Sequence, residues 1–311
     1  MGMTAYADIT AHPEYDKAFW AGMSDKVTDV TILDKGKVPG DGTYKVPTSS
    51  SNELTKAISR ESLFRCMSTV INATGNGYRL DASDSDDLAM FVEEGGEIPV
   101  YNAVEDFTRI SVGSHKLVSF VKLDEDFVKD ASFNMEKYLI KRFGRCFGRA
   151  EDKAFITGSG IKEPTGILHA TDGAKVGIIT DSLSFDDVIS LYFNTESQYR
   201  KNGMWLMNDA TALALRKLKD KDGNYLWNQA NDTILGKSVI ISEYMPDIEA
   251  GAKPIAFGDF SYYWVIVRHL VAMRMLKEAF VLHAQLGYLA AEYIDGKLVR
   301  KDAVKVLQIA E

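Results

Sequence analysis

The stretch from Ser132 to Leu168 leaves a chain of this kind few ways to fold. Asn134 is a suitable helix N-cap, and no proline interrupts Met135 to Thr157. At about 1.5 Å per residue such a helix is about 35 Å long, the width of a whole domain. Gly158-Ser159-Gly160 is predicted to end it through the left-handed backbone that glycine tolerates, and a tight Pro164-Thr165-Gly166 turn follows. Met135, Leu139, Phe143, Cys146, Phe147, Ala150 and Ala154 recur at three- and four-residue steps as an apolar stripe. Lys137, Lys141, Arg142, Arg145, Arg149 and Lys153 fall mostly on the opposite arc, against Glu136, Glu151 and Asp152. Two readings of that basic arc stand open: a solvated face, or a face that meets something acidic.

Composition narrows the classes. A chain of 311 residues can form two modest domains or one elaborate one, and its 46% apolar content supports a substantial core. A net charge of -8 argues against a protein that coats nucleic acid through a basic surface. Cys66 and Cys146 are too few and too scattered for a disulfide scaffold or a thiolate metal site, and read as free thiols. The first residues lack a basic leader and apolar core, and no apolar run is long enough to span a bilayer, so a soluble intracellular product is expected.

Along the chain, residues 1–50 read as an arm that crosses other surfaces, with Tyr15, Phe19, Trp20 and Met23 at helical spacing. Asn52 is read as the cap of a helix running through Ile58, Leu63, Phe64 and Met67. Residues 76–112 read as a long two-stranded ribbon, with alternating segments near Leu88 and Phe107 on either side of a tip at Glu94-Gly95-Gly96. From Arg79 to Arg109 nine acids stand against two arginines, a net of minus seven, and no lysine occurs between Lys56 and Lys116. A strand at Leu117–Leu123, a short helix near Phe127, a helix from Ser184 to about Arg200 and a buried strand Trp205-Leu206-Met207 come next. Asp209 opens a helix through Leu218, and strands are predicted near Val239, Ile255–Phe257, Trp264–Val267 and Ala272–Leu276. The last stretch, from Gln285, reads as a ribbon that turns at Asp295-Gly296.

Searches for chemistry fail. Gly236-Lys237-Ser238 lacks the upstream glycine of a phosphate loop, because Asn231 stands there. Gly158-Ser159-Gly160 is neither a dinucleotide fingerprint nor a nucleophile elbow. The five histidines have no partner at zinc-ligand spacing, and His269 and His283 read as structural histidines in apolar surroundings. Asp259 reads as a loop acid bonding backbone amides. No catalytic, cofactor or metal residues are indicated, so the chain is not expected to be an enzyme.

The order of motifs resembles the major capsid proteins of tailed bacteriophages, with the Hong Kong 97-type capsid fold. The residues that carry the resemblance run from about Gly42 to Gln308. They include Tyr44-Lys45-Val46-Pro47, Glu61-Ser62-Leu63-Phe64-Arg65 and Phe91-Val92-Glu93-Glu94 with Ile98-Pro99. Ala154 to Gly160 leading into Pro164-Thr165-Gly166-Ile167-Leu168 is the most specific, and Trp205 to Asn208, Leu218-Lys219-Asp220 and Phe257-Gly258-Asp259-Phe260 follow in order. The resemblance implies an α+β shell subunit with an N-terminal arm (1–50), an extended β-hairpin loop (76–112), a peripheral domain (51–75, 113–176 and 278–311) and an axial α/β domain (177–277). The long spine helix would occupy about 134–157.

It further implies a virion protein made in the host cytoplasm. Its copies form pentamers and hexamers of an icosahedral shell around double-stranded DNA, without sequence-specific binding and without a membrane. A portal is the implied partner, with a separate scaffold, maturation protease or cementing protein in some relatives. An encapsulin-like nanocompartment enclosing enzyme cargo is the alternative on the same fold. Some relatives weld neighbours through a loop lysine and a late asparagine. Here the loop has no lysine and no asparagine follows Asn231, so non-covalent contacts are expected instead. The chain also starts close to its arm, which fits either a separate scaffold or a trimmed chain.

Charge gives one expectation of its own. The loop is at minus seven, and Asn134–Lys153 carries six bases against three acids. Asp84, Asp86, Asp87, Glu93, Glu94 and Glu97 are therefore expected to face Lys137, Lys141, Arg145 and Arg149 of a neighbouring copy. DNA inside the head is the competing partner for the basic arc.

Overall fold

The structure, a computed structural model, describes residues 9–26, 29–40, 42–73, 79–83, 107–111, 113–130, 132–219, 221–227 and 232–311. The N-terminal part forms helices α1 (Pro13–Met23) and α2 (Val30–Asp34), strand β1 (Tyr44–Lys45), helices α3 (Thr48–Glu61) and α4 (Leu63–Met67), and strand β2 (Thr69–Asn72). Strands β3 (Arg79–Ser83), β4 (Phe107–Ser111) and β5 (His115–Asp124), helix α5 (Glu125–Lys129) and the long helix α6 (Met135–Thr157) come next. An alternating segment follows: β6 (Lys175–Thr180), α7 (Phe185–Asn194), α8 (Ser197–Arg200), β7 (Met204–Met207), α9 (Asp209–Arg216), β8 (Thr233–Ile234), β9 (Lys237–Ile241) and β10 (Ile255–Gly258). Long strands β11 (Tyr263–Leu276) and β12 (Gln285–Leu298) and the shorter β13 (Val304–Ile309) complete the chain.

Two sheets carry the architecture. The first has the order β1-β11-β12-β5, and β2 also pairs directly with β11, in parallel, along Trp264–Val267. Its inner face packs with α1, α3 and α6 around Phe19, Leu54, Leu139, Phe143, Phe147 and Tyr288. The second has the order β6-β13-β10-β7-β9-β8, and one of its faces packs with α7 and α9 around Trp205, Phe257, Leu191 and Leu215. A third cluster, with Phe64, Phe155, Tyr263 and Val306, lies between the exit of α6 and elements of both sheets. The mixed helix and sheet composition is the expected α+β class.

Several local readings change. Helix α3 begins at Thr48, within the residues read as an arm, so Asn52 lies inside the helix and does not cap it. Ser50 explains the difference: fully buried, it accepts from Trp20 Nε1 at 3.1 Å and donates to Glu136. The helix breaks at Ser62, whose extended backbone starts α4. The helix from Ser184 likewise stops at Asn194, after a capping box between Ser184 and Asp187. The partner of β4 is Arg79–Ser83, in register Asp81↔Arg109, while the alternating segment near Leu88 lies outside the described residues.

The largest correction concerns the C-terminal stretch. Asp295-Gly296 is no turn: β12 runs straight through it, paired with β11 on one side, and the chain reverses only after Leu298. Gly296 is there for space, since a Cβ would stand 2.5 Å from Tyr263 Oη and 2.9 Å from the Phe155 ring. Asp295 accepts from Gly113 N and lies 3.4 Å from His115 Nε2. Strand β13 then joins the second sheet, between β6 and β10. Hydrogen bonding therefore cuts across the expected domain boundaries: β11, within 177–277, belongs to the first sheet, and β13, within 278–311, to the second.

Candidate assembly interface

Helix α6 forms as its sequence dictates. Asn134 accepts from Lys137 N at 2.9 Å, which satisfies an orphan amide of the first turn. Two glycines let α3 approach: a Cβ on Gly144 would meet Ala57 Cβ at 2.6 Å, and one on Gly148 would meet Glu61 Cβ at 2.8 Å. The exit is also steric. Gly158 has φ -61°, an ordinary value, so left-handed backbone is not its role. A Cβ there would stand 2.1 Å from Pro164 O and 2.3 Å from Ala154 O, because the Pro-Thr-Gly turn folds back on the helix end. Gly160, at φ 74°, takes the left-handed step.

The buried face differs from the predicted stripe in its second half. Beyond Phe147 it continues through Glu151, Asp152, Phe155 and Ile156, while Cys146, Ala150 and Ala154 are only partly buried. Glu151 lies in a buried ionic cluster: Arg65 donates Nε and Nη2 to its two oxygens, each at 2.7 Å. The same Nη2 also donates to Glu292 Oε1 of β12 at 2.8 Å, and all three side chains are 3% exposed or less. Asp152 accepts from Ser62 Oγ at 2.7 Å, Leu63 N at 2.8 Å and Phe64 N at 3.1 Å, and so caps α4. Helix α6, helix α4 and strand β12 are thereby locked together.

Protonation follows from this burial. Burial, and the neighbouring Glu151 carboxylate after it, push Glu292 up to about 8 against the pull of Arg65. Its second oxygen has no hydrogen-bond partner, so ionisation would leave charge on an unsolvated atom. Burial also raises Asp152 despite its three donors. For Arg65 burial alone would lower the value, but the two glutamates more than offset it and raise it.

One consequence is for the outer face. The acids that offset the cations in the sequence turn inward: Glu151 and Asp152 are buried, and Glu136 accepts from Ser50. Lys137, Lys141, Arg142, Arg145, Arg149 and Lys153 are all exposed, and none forms an ion pair among the described residues. The solvent face of α6 is thus more basic than its net charge suggests. Four of the predicted contact residues, Lys137, Lys141, Arg145 and Arg149, share this face. The other six, Asp84, Asp86, Asp87, Glu93, Glu94 and Glu97, lie outside the described residues.

The Arg65–Glu151–Glu292 cluster went unread in the sequence. A signal was present: Phe143, Phe147 and Glu151 continue one four-residue step, as do Gly144, Gly148 and Asp152. His283, expected in apolar surroundings, is exposed on a short 3-10 segment. The side chain of His269 lies outside the described residues. Asp259 accepts from Ser261 N at 3.0 Å, as a loop acid should. Among the described residues no three metal-ligating side chains cluster, and no helix is long and apolar enough to cross a membrane.

Comparison with known proteins places this geometry. The model of the "Phage capsid family" matches residues 42–309. Among solved structures, the capsid of an empty GTA particle computed with C5 symmetry is similar at 28% identity and TM-score 0.68, over 81% of this chain and 90% of that one. The capsid of the native GTA particle is similar at 29% identity and TM-score 0.64, over 82% and 91%. A structure from Microbacterium phage Oxtober96, at 15% identity and TM-score 0.57 over 80% and 91%, shares the fold. Curated protein sequences give no significant match.

Proposed function

The chain belongs to the phage capsid family, and from that premise we propose that its copies close into pentamers and hexamers of an icosahedral shell around packaged double-stranded DNA. That it is a capsid shell protein of the Hong Kong 97 type follows from the family itself. One observation supports the finer reading: four-fifths of the chain matches a capsid chain of a GTA particle computed with C5 symmetry, at 28% identity. Closed rings of identical subunits need head-to-tail contacts whose rotation closes. The role is structural, and no step of chemistry is assigned to any residue.

Within the subunit we assign residues 1–50 to an arm, 76–112 to the extended loop and α6 to the spine, with the remainder divided between a peripheral and an axial part. The basic face of α6 is a contact surface for the neighbour's loop, through Asp84, Asp86, Asp87, Glu93, Glu94 and Glu97. Support comes from the opposite charges of the two segments and from the unpaired state of the six cations among the described residues. Each exposed pair is worth only about 0–1 kcal/mol, so its use is to set register at repeated boundaries. Such contacts weaken as salt screens them.

Negative-stain microscopy of purified protein tests the shell, and nuclease-protected DNA in particles from infected cells tests its contents. Closed particles filled with a protein cargo and no DNA would favour the nanocompartment. A double reversal, Lys141→Glu with Arg145→Glu, is expected to lower the yield of closed particles at physiological salt, and adding Asp86→Lys with Asp87→Lys to restore part of it. Normal assembly by the first pair would sink the loop-to-spine contact, and salt-sensitive loss of packaged DNA alone would turn the basic face toward the genome.

A further inference from the structure

The second sheet presents two unlike surfaces at its opposite edges. Helices α7 and α9 lie on one face of that sheet, in one apolar cluster. Helix α7 packs by the edge strand β6, while α9 sits beside β9 near the other edge. At the α7 end, Phe193 is 65% exposed, although it is a large aromatic side chain. The Arg200 guanidinium stacks 5.2 Å from the centre of its ring. Among the described residues Arg200 has no carboxylate partner, and its Nε is buried without a hydrogen-bond acceptor. At the α9 end, Leu213, 53% exposed, and Ile241, 37% exposed, line a groove of about 300 Å³ with the exposed Asp209 at its rim.

We propose that Phe193 and Arg200 of one copy seat in the Leu213–Ile241 groove of the next, and that this contact closes the ring of subunits. The proposal rests on the capsid-shell reading and names the surfaces that would meet. A head-to-tail contact needs two different patches on opposite sides of one subunit, which an isologous contact does not. An exposed aromatic held by an arginine is the type of anchor that dominates interface energetics, and an apolar groove is what it fills. Charge agrees as well: Arg200, a cation with no carboxylate partner among the described residues, stands on the knob, and Asp209, a carboxylate without an ion pair among them, lines the groove. Burying Phe193 against Leu213 and Ile241 removes apolar surface from water at both edges at once.

Two variants of the full chain separate this contact from misfolding and from other geometries. Phe193→Asp spoils the knob and Leu213→Asp the groove, and both sites are exposed, so unfolding temperatures within a few degrees of the parent are expected. Size-exclusion chromatography with light scattering should show each variant alone as a monomer under conditions where the parent forms rings. Mixed in equal amounts they should give a dimer and nothing larger, because only one intact knob meets one intact groove. Rings from either variant alone, or a mixture that stays monomeric, would overturn the proposal. Arg200→Glu should also lose rings and regain them with Asp209→Lys, and no rescue counts against the pairing of these two residues. A parent that forms no ring under any condition overturns the shell reading itself, a result distinct from failure of the variants.

Discussion

The two sheets are held together by different physics. Around α6, a buried guanidinium, two glutamates and a capping aspartate fix how helix, helix and strand meet. Beneath α7 and α9 the core is apolar: Trp205, Phe257, Leu307 and Ile255 are fully buried, and Trp205 Nε1 donates to Ile234 O at 3.0 Å. Charge in the first region is directional and responds to protons, whereas packing in the second responds to volume. A shell subunit with both can keep the shape of one part while conditions perturb the other.

A matched pair of truncations gives the largest expected effect in each region. Arg65→Ala strips the cation from two buried carboxylates and should destabilise by about 3–5 kcal/mol, and more at high pH, where Glu292 must ionise. Trp205→Ala should lose about 3–5 kcal/mol through lost contacts and a cavity, nearly the same at every pH. Denaturant unfolding at pH 6 and pH 9 reads both, and equal pH dependence would erase the distinction.

Glu292→Gln isolates the proton-linked part of the first region's stability. The native value, about 8, lies above the ordinary 4.5, so the folded state holds a proton that the unfolded state releases. The stability this gives is full below about pH 4.5 and is lost as pH rises to about 8. Glutamine mimics the protonated form, so the variant should gain on its parent steadily from pH 5 to 8 and hold that gain above. A difference flat with pH would show that the carboxyl is ionised throughout.

Smaller effects probe the helix contacts. Gly144→Ala drives a methyl against Ala57 and should cost about 1–3 kcal/mol despite alanine's better helix propensity. Asn134→Ala and Ser184→Ala each remove an N-cap, one in each region, and should cost about 1 kcal/mol apiece. Calorimetry would rank all three.

How legible these regions were follows the same division. Helix α6, the strand Trp205–Met207 and the Ser184 cap could be read locally, because period, cap chemistry and β-propensity act over a few residues. Asp295-Gly296 misled, because that dipeptide favours turns locally while the space beside Tyr263 and Phe155 is set by segments far away in sequence. Ser50 misled in the same way: a polar run at the end of the expected arm shows no helix face until Trp20 and Glu136 come to meet it. The inward turn of Glu151 was concealed because its partner Arg65 stands 86 residues earlier. Of the proposed contact face on α6, the cations could be read locally, but not the fact that their offsetting acids are buried.

The position of β13 has a consequence for synthesis. This strand is laid between β6 and β10, although residues 259–303 separate it from the end of β10. On a ribosome adding about 5–20 residues per second, β6 and β10 wait for seconds with their shared side unfilled. A chain cut short before Val304 lacks a central strand rather than an ornament at the edge. The sheet that bears both proposed ring surfaces is then incomplete, so the order of translation itself would keep fragments out of the shell.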